Sequence, residues 1–129
     1  MGYRSDVYLK TTKAGYKALE QEIKKNELGY KLWKDPDKVF YDDIEETITV
    51  EWDDVKWYSG YEDVRTIENA IGAVCDKYTM HFVRIGESYD DLEDEFYDGE
   101  DEEMFDPIPI HRYAEPCGEK VDLEELFNE

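Results

Sequence analysis

The sequence predicts one α+β domain over residues 1–129, a mainly antiparallel sheet with two helices on one face and an acidic excursion between its last strands. Three observations predict it. Apolar residues recur at three- and four-residue steps in two separate segments, as amphipathic helices require. Short β-branched or alternating runs flank both segments. From Glu87 to Asp106, twelve of twenty residues are acidic and none is Lys or Arg, so the regular pattern is interrupted before a final apolar run.

Taken in order, Asp6–Lys10 reads as a first strand, and Thr11 and Thr12 are suited to cap a helix directly after it. Tyr16, Leu19 and Ile23 share one face of that helix, with Gly29 as the residue that ends it. Residues 30–43 read as loop or edge segment around the turn signal Asp35-Pro36-Asp37. Thr47–Trp52 alternates and is β-branched, hence a strand, broken by Asp53-Asp54. Val55–Tyr58 reads as a second short strand. Ser59 followed by Glu62 fits a capping box, and Val64, Ile67, Ile71, Val74 and Tyr78 then mark the clearest helix. Thr79–Ile85 has apolar residues on both faces, Met80 and Phe82 on one, Val83 and Ile85 on the other, which predicts a strand covered on both sides. Beyond the acidic stretch, Ile108–Tyr113 returns as a strand, with Pro107 and Pro109 marking an edge. Within residues 119–129, Val121–Phe127 is a short amphipathic helix or turn showing Leu123, Leu126 and Phe127 on one side. The order strand, helix, strand, strand, helix, strand is compatible with a ferredoxin-like arrangement.

A chain of 129 residues is long enough to bury a core. Its 40% hydrophobic and 15% aromatic content argues against global disorder. The net charge of -20 is unevenly spread: residues 1–40 carry nine basic and six acidic residues, the remainder six and 29. Such a field repels nucleic acid and anionic membranes and attracts cationic surfaces. No apolar run reaches membrane-spanning length, and the N-terminus lacks a secretory signal's apolar region. Asp6 occupies the position at which a myristoylation signal needs Ser or Thr. Cys75 and Cys117 are expected as free thiols in a cytoplasmic setting.

The acidic stretch is the leading candidate for function. Folded as two arms of about 30 Å, it would carry one charge per roughly 2.5 Å, against one per ~1.7 Å in duplex DNA. The plain alternative is a solvated loop that aids solubility. Phe96, Tyr97, Met104 and Phe105 interleave with the charges and favour a contact surface. An EF-hand register with Gly99 at its sixth position puts Asp94 and Asp98 correctly, but Phe96 and Phe105 fall where oxygen ligands belong. Cys75/His81 and His111/Cys117 share a spacing of six, wider than structural zinc sites use. No phosphate loop, nucleophile elbow or zincin pattern occurs, so no catalytic residue, cofactor or metal site is predicted. Trp52, Trp57, Tyr58 and Tyr61 are expected to pack in the core, and the C-terminal apolar residues to dock on the domain.

Three segments carry a family resemblance: Met1-Gly2-Tyr3-Arg4-Ser5-Asp6-Val7, the stretch from Trp52 to Tyr58, and Arg84–Glu87 followed by Asp90, Asp91 and Glu93. Together they resemble a family of small phage and prophage proteins that is largely uncharacterised. The resemblance covers under a quarter of the chain and implies a viral origin and a host-takeover or accessory role, with no catalytic residues. The segment Asp94–Asp106 looks longer here than that pattern requires.

The resulting expectation is a non-enzymatic phage protein acting in the host cytoplasm. It would inhibit a basic, nucleic-acid-binding defence machine, such as a CRISPR effector or restriction enzyme, by placing carboxylates where phosphates sit. Glu87, Asp90, Asp91, Glu93, Asp94, Glu95, Asp98, Glu100, Asp101, Glu102 and Glu103 would meet the partner's Lys and Arg, with Phe96, Tyr97 and Phe105 as anchors. The alternatives are a passive structural or accessory phage module and a divalent-metal-dependent enzyme.

Overall fold

A computed structural model describes residues 2–88, 90–101, 105–110, 116 and 118–127. Their elements run β1 (Ser5–Thr12), α1 (Lys13–Ile23), α2 (Glu27–Trp33), β2 (Lys38–Asp42), β3 (Thr47–Val55), α3 (Glu62–Val74), β4 (Met80–Gly86), β5 (Leu92–Tyr97), β6 (Glu119–Lys120) and the short α4 (Leu123–Phe127). The strands form one antiparallel sheet in the order β5-β4-β1-β3-β2-β6. This is an α+β fold. Its middle four strands have the ferredoxin-like order β4-β1-β3-β2, with α1 and α2 together in the first crossover and α3 in the second, and β5 and β6 extend them on either side.

The helices cover one face because one side of each strand is apolar. Val7 and Leu9 of β1, Ile48, Val50 and Trp52 of β3, and Met80 and Phe82 of β4 meet Leu19, Ile23, Val64, Ile67 and Ile71. A chain of ring contacts runs through this layer from Tyr16 by way of Trp33, Trp52 and Trp57 to Phe82. Trp52 and Trp57 are therefore core, as expected, whereas Tyr61 is exposed and pairs with Tyr58 at 5.1 Å. Leu123, Leu126 and Phe127 dock on the same layer.

The opposite face is not left open. Tyr8, Val83 and Ile108 form a second small cluster there, joined by Ile85 and Ile110. The double covering expected of β4 is thus real, and its outer cover is the segment Phe105–Ile110, which crosses the sheet as a strap.

Several local expectations differ. The strand pair is β2 with β3, not two strands split at Asp53-Asp54: β3 continues through both aspartates, and Val55–Tyr58 forms no strand of its own. One extra residue on β3 between the pairs Ser5↔Val55 and Val7↔Trp52 makes a bulge. Asp54 takes it up at φ 53, a conformation Asp tolerates, and its N–H donates to Asp6 Oδ1 at 2.8 Å. The stretch expected as loop contains α2, whose first turn is capped by Asn26 accepting from Gly29 N–H at 2.9 Å. Gly29 therefore ends no helix. It lies where α2 touches α3, and a Cβ there would stand 2.3 Å from Thr66 Cγ2. The capping box is not made either: Tyr61 precedes α3 without a side-chain cap bond. Thr12 does cap α1, accepting from Gly15 N–H at 3.0 Å.

The acidic excursion is also revised. Its first half is β5, an edge strand in hairpin with β4, and no excursion separates two sheet strands there. Ile108 and Pro109 are irregular, Ile110 makes an isolated bridge, and the rest of that expected strand lies outside the described residues.

Candidate functional site

β5 occupies one end of the sheet, and its register with β4 sorts the acidic residues by face. Leu92, Asp94 and Phe96 stand opposite Ile85, Val83 and His81 on the strap side, while Glu93, Glu95 and Tyr97 point the other way. The carboxylates then divide into two groups by what they touch.

The first group is engaged within the fold. Arg84 grips both Asp91 and Glu93: Nη2 donates to Asp91 Oδ1 at 2.8 Å, Nη1 to Asp91 Oδ2 at 3.1 Å, and Nε to Glu93 Oε1 at 2.7 Å. Nη1 also donates to Ser5 Oγ at 3.0 Å, so one guanidinium ties β1, β4 and the hairpin together. The Tyr3 hydroxyl donates to Asp91 at 2.6 Å. Arg84 first and Tyr3 second hold the Asp91 carboxyl below its usual range. The turn can be this tight because residue 86 is glycine: a Cβ there would lie 2.1 Å from Asp91 Oδ2. Glu87 accepts from the Arg4 backbone N–H at 3.0 Å. Asp94 sits 2.5 Å from His81 Nε2. Asp101 accepts from the Thr79 hydroxyl at 2.8 Å, while the Glu100 and Asp101 N–H groups donate to the carbonyls of Asp76 and Lys77. The loop after β5 is thereby stitched to the end of α3.

The second group projects into solvent. Asp90, Glu95, Asp98 and Glu100 are exposed, and among the described residues none of their side chains makes a hydrogen bond or ion pair. Glu93 and Asp94, though engaged, are about half exposed. Between them stand two exposed apolar side chains, Leu92 at 48% and Phe96 at 37%.

The other expected anchors are placed differently. Tyr97 is half-buried against the helix-side core. Phe105 is buried in the strap, its ring 5.6 Å from Phe96 and 5.1 Å from Lys10 Nζ. Glu102, Glu103 and Met104 lie outside the described residues, as do His111 and Cys117. Cys75 packs on the helix side of the sheet and His81 on the strap side, so those two do not meet. Among the described residues, no group of three or more His, Cys, Asp or Glu side chains converges as a metal site would require. Nor is any described helix long and apolar enough to cross a membrane.

Two features escaped sequence reasoning. One is a polar row beneath the strap, comprising buried Lys10 and His81 and, at its rim on the β2–β3 turn, Glu45. A lysine and a histidine on the outward side of otherwise apolar strands were its only signal. The other is a cleft of about 1080 Å³ at the far end of the sheet, with Tyr16 and Phe127 in its wall. Lys17, Lys34, Lys38 and Lys120 line it together with Glu20, Asp37, Asp122 and Glu124, so its charges balance.

No protein-family model matches the chain, and no curated protein or solved structure is similar enough to it to count as a match.

Proposed function

We propose that this is a non-enzymatic, phage-encoded interaction protein that binds a basic, nucleic-acid-binding protein of the host through its acidic edge, and so keeps nucleic acid out of that partner's site. The observation that carries the reading is the arrangement along β5 and to either side of it: exposed Asp90, Glu93, Asp94, Glu95, Asp98 and Glu100 around the exposed side chains of Leu92 and Phe96. Carboxylates give the long-range attraction and the match to groups that otherwise hold phosphate, and apolar side chains give the desolvated centre that strong contacts need. A net charge of -20 adds steering toward a cationic surface. In this reading Asp91 and Asp101, held by internal partners, shape the edge, and the projecting four contact the partner first.

The test is capture of host proteins at two salt concentrations, with duplex DNA as competitor. The reading expects a DNA-binding protein that is retained at low salt, displaced by DNA, and lost when Asp90, Glu95, Asp98 and Glu100 are all changed to Lys. Retention indifferent to both DNA and the fourfold change would overturn it.

A further inference from the structure

The strap Phe105–Ile110 is fastened to the sheet by three side chains. Lys10 Nζ donates to the Asp106 carbonyl at 2.6 Å, and Glu45 Oε2 accepts from the Asp106 N–H at 2.7 Å. The third fastening is His81, which is buried. Its Nδ1 accepts from the Ile108 N–H at 3.0 Å, and its Nε2 lies 2.5 Å from Asp94 Oδ1.

These two contacts define the ring's state. A nitrogen that accepts an N–H bond holds no proton, so the neutral ring carries its proton on Nε2 and donates it to Asp94. A second proton has only Nδ1 to occupy. There it would point at the Ile108 N–H, setting two donors against each other in a buried site. The contact to Asp94 would survive and strengthen, because an imidazolium then faces a carboxylate. One proton therefore spares the hairpin and breaks the strap's fastening at Ile108, leaving the two bonds at Asp106.

We propose that His81 is the latch of the strap: the strap lies closed over the sheet while the imidazole is neutral, and opens when the ring takes its second proton. Opening uncovers Tyr8 and Val83 and removes Phe105 from the already exposed Phe96, giving a larger apolar surface beside the acidic edge. The charged groups around the ring come from every element that packs on it. Asp94 of β5 favours the imidazolium. Lys10, directly opposite His81 on β1, opposes it, and Glu45 partly neutralises Lys10. Asp106 on the strap presents an exposed side chain, and Glu51 lies farther off on β3, opposite Tyr8. The proposal is independent of what the acidic edge binds.

The experiment is nitrogen-15 NMR from pH 8 to pH 5, following the His81 ring nitrogens together with the protection of the Ile108 amide, corrected for the intrinsic pH dependence of exchange. The ring should begin as the Nε2–H tautomer. Ile108 protection should fall by roughly tenfold per pH unit once the ring titrates, the slope of one linked proton. Asp94→Asn, at a half-exposed position, should move both midpoints together to lower pH by removing the counter-charge. His81→Asn keeps an acceptor near the place of Nδ1 but cannot titrate, and should hold Ile108 protected at pH 5. A ring that stays neutral to pH 5 would overturn the proposal. So would protection that ignores the ring's titration, or a midpoint that does not respond to Asp94→Asn.

Discussion

The ammonium of Lys10, fully buried, stands 2.8 Å from Glu45 Oε1 on the turn between β2 and β3. Removing one partner of a buried pair leaves the other uncompensated, and the cost depends on how well water reaches what remains. Glu45→Gln leaves a buried ammonium with only neutral partners and sets the new amide NH2 against the Asp106 N–H, which should cost about 3 kcal/mol. Lys10→Met leaves a carboxylate at the rim, 18% exposed, and should cost about 1 kcal/mol. Urea unfolding at pH 7 measures both, and the reverse ranking would show that the pair is not desolvated as described.

A second carboxylate on the same face gives a pH dependence of defined sign. Burial pushes the Glu51 carboxyl up to about 7 from 4.5, neighbouring Asp53 adds to the rise, and Lys38 moderates it. The folded state therefore holds a proton between those values that the unfolded state has released. Stability from this group is complete below about pH 4.5 and lost as pH rises through 7, an effect of up to about 3 kcal/mol. Glu51→Gln should flatten that part of the stability profile and raise the urea midpoint at pH 8. A mutant whose profile keeps the wild-type slope between pH 5 and pH 8 would rule Glu51 out as its source.

Two helical glycines should respond to alanine in opposite directions. At Gly72 in α3 a Cβ meets nothing within 4 Å, so Gly72→Ala should gain about 0.5–1 kcal/mol from the stiffer unfolded chain. Gly29→Ala forces a methyl against Thr66 and should lose about 1–2 kcal/mol despite the better helix propensity. Thermal melts of the two variants side by side decide it.

The acidic edge divides by stability as well as by contact. Reversing Asp90, Glu95, Asp98 and Glu100 to Lys should leave the melting temperature unchanged or slightly raised, since the change relieves repulsion in a chain of net charge -20. Asp91→Asn should instead loosen the hairpin, seen as faster amide exchange at Gly86, whose N–H donates to the Asp91 carbonyl. Equal effects from the two sets would mean that engaged and projecting carboxylates do not differ physically.

The helical periodicity of α1 and α3 and the two-faced pattern of β4 carried most of the architecture into the sequence, since each reports which residues one layer buries. β2 was hidden because Lys38, Phe40 and Asp42 mix charge with apolar residues on a strand near the edge. α2 was hidden by its brevity and its glycine. In the acidic stretch composition announced the charge but not its pairing. Whether Asp91 is available to a partner depends on Arg84, and this is a matter of register. The strap was invisible for a similar reason: Lys10 and His81 look like surface residues until the chain returns from residue 105 to cover them.

β1 is hydrogen-bonded on one side to β3 and on the other to β4. As the chain emerges from the ribosome, the strand made first is the one that must wait, because its last neighbour is completed only at residue 86. Sheet formation is thus weighted toward long-range closure, which slows folding and keeps unpaired strand edges open for longer. The acidic segment from Glu87 onward is made only after that interval, so its repulsion of like chains comes late and guards the completed sheet rather than the waiting strand.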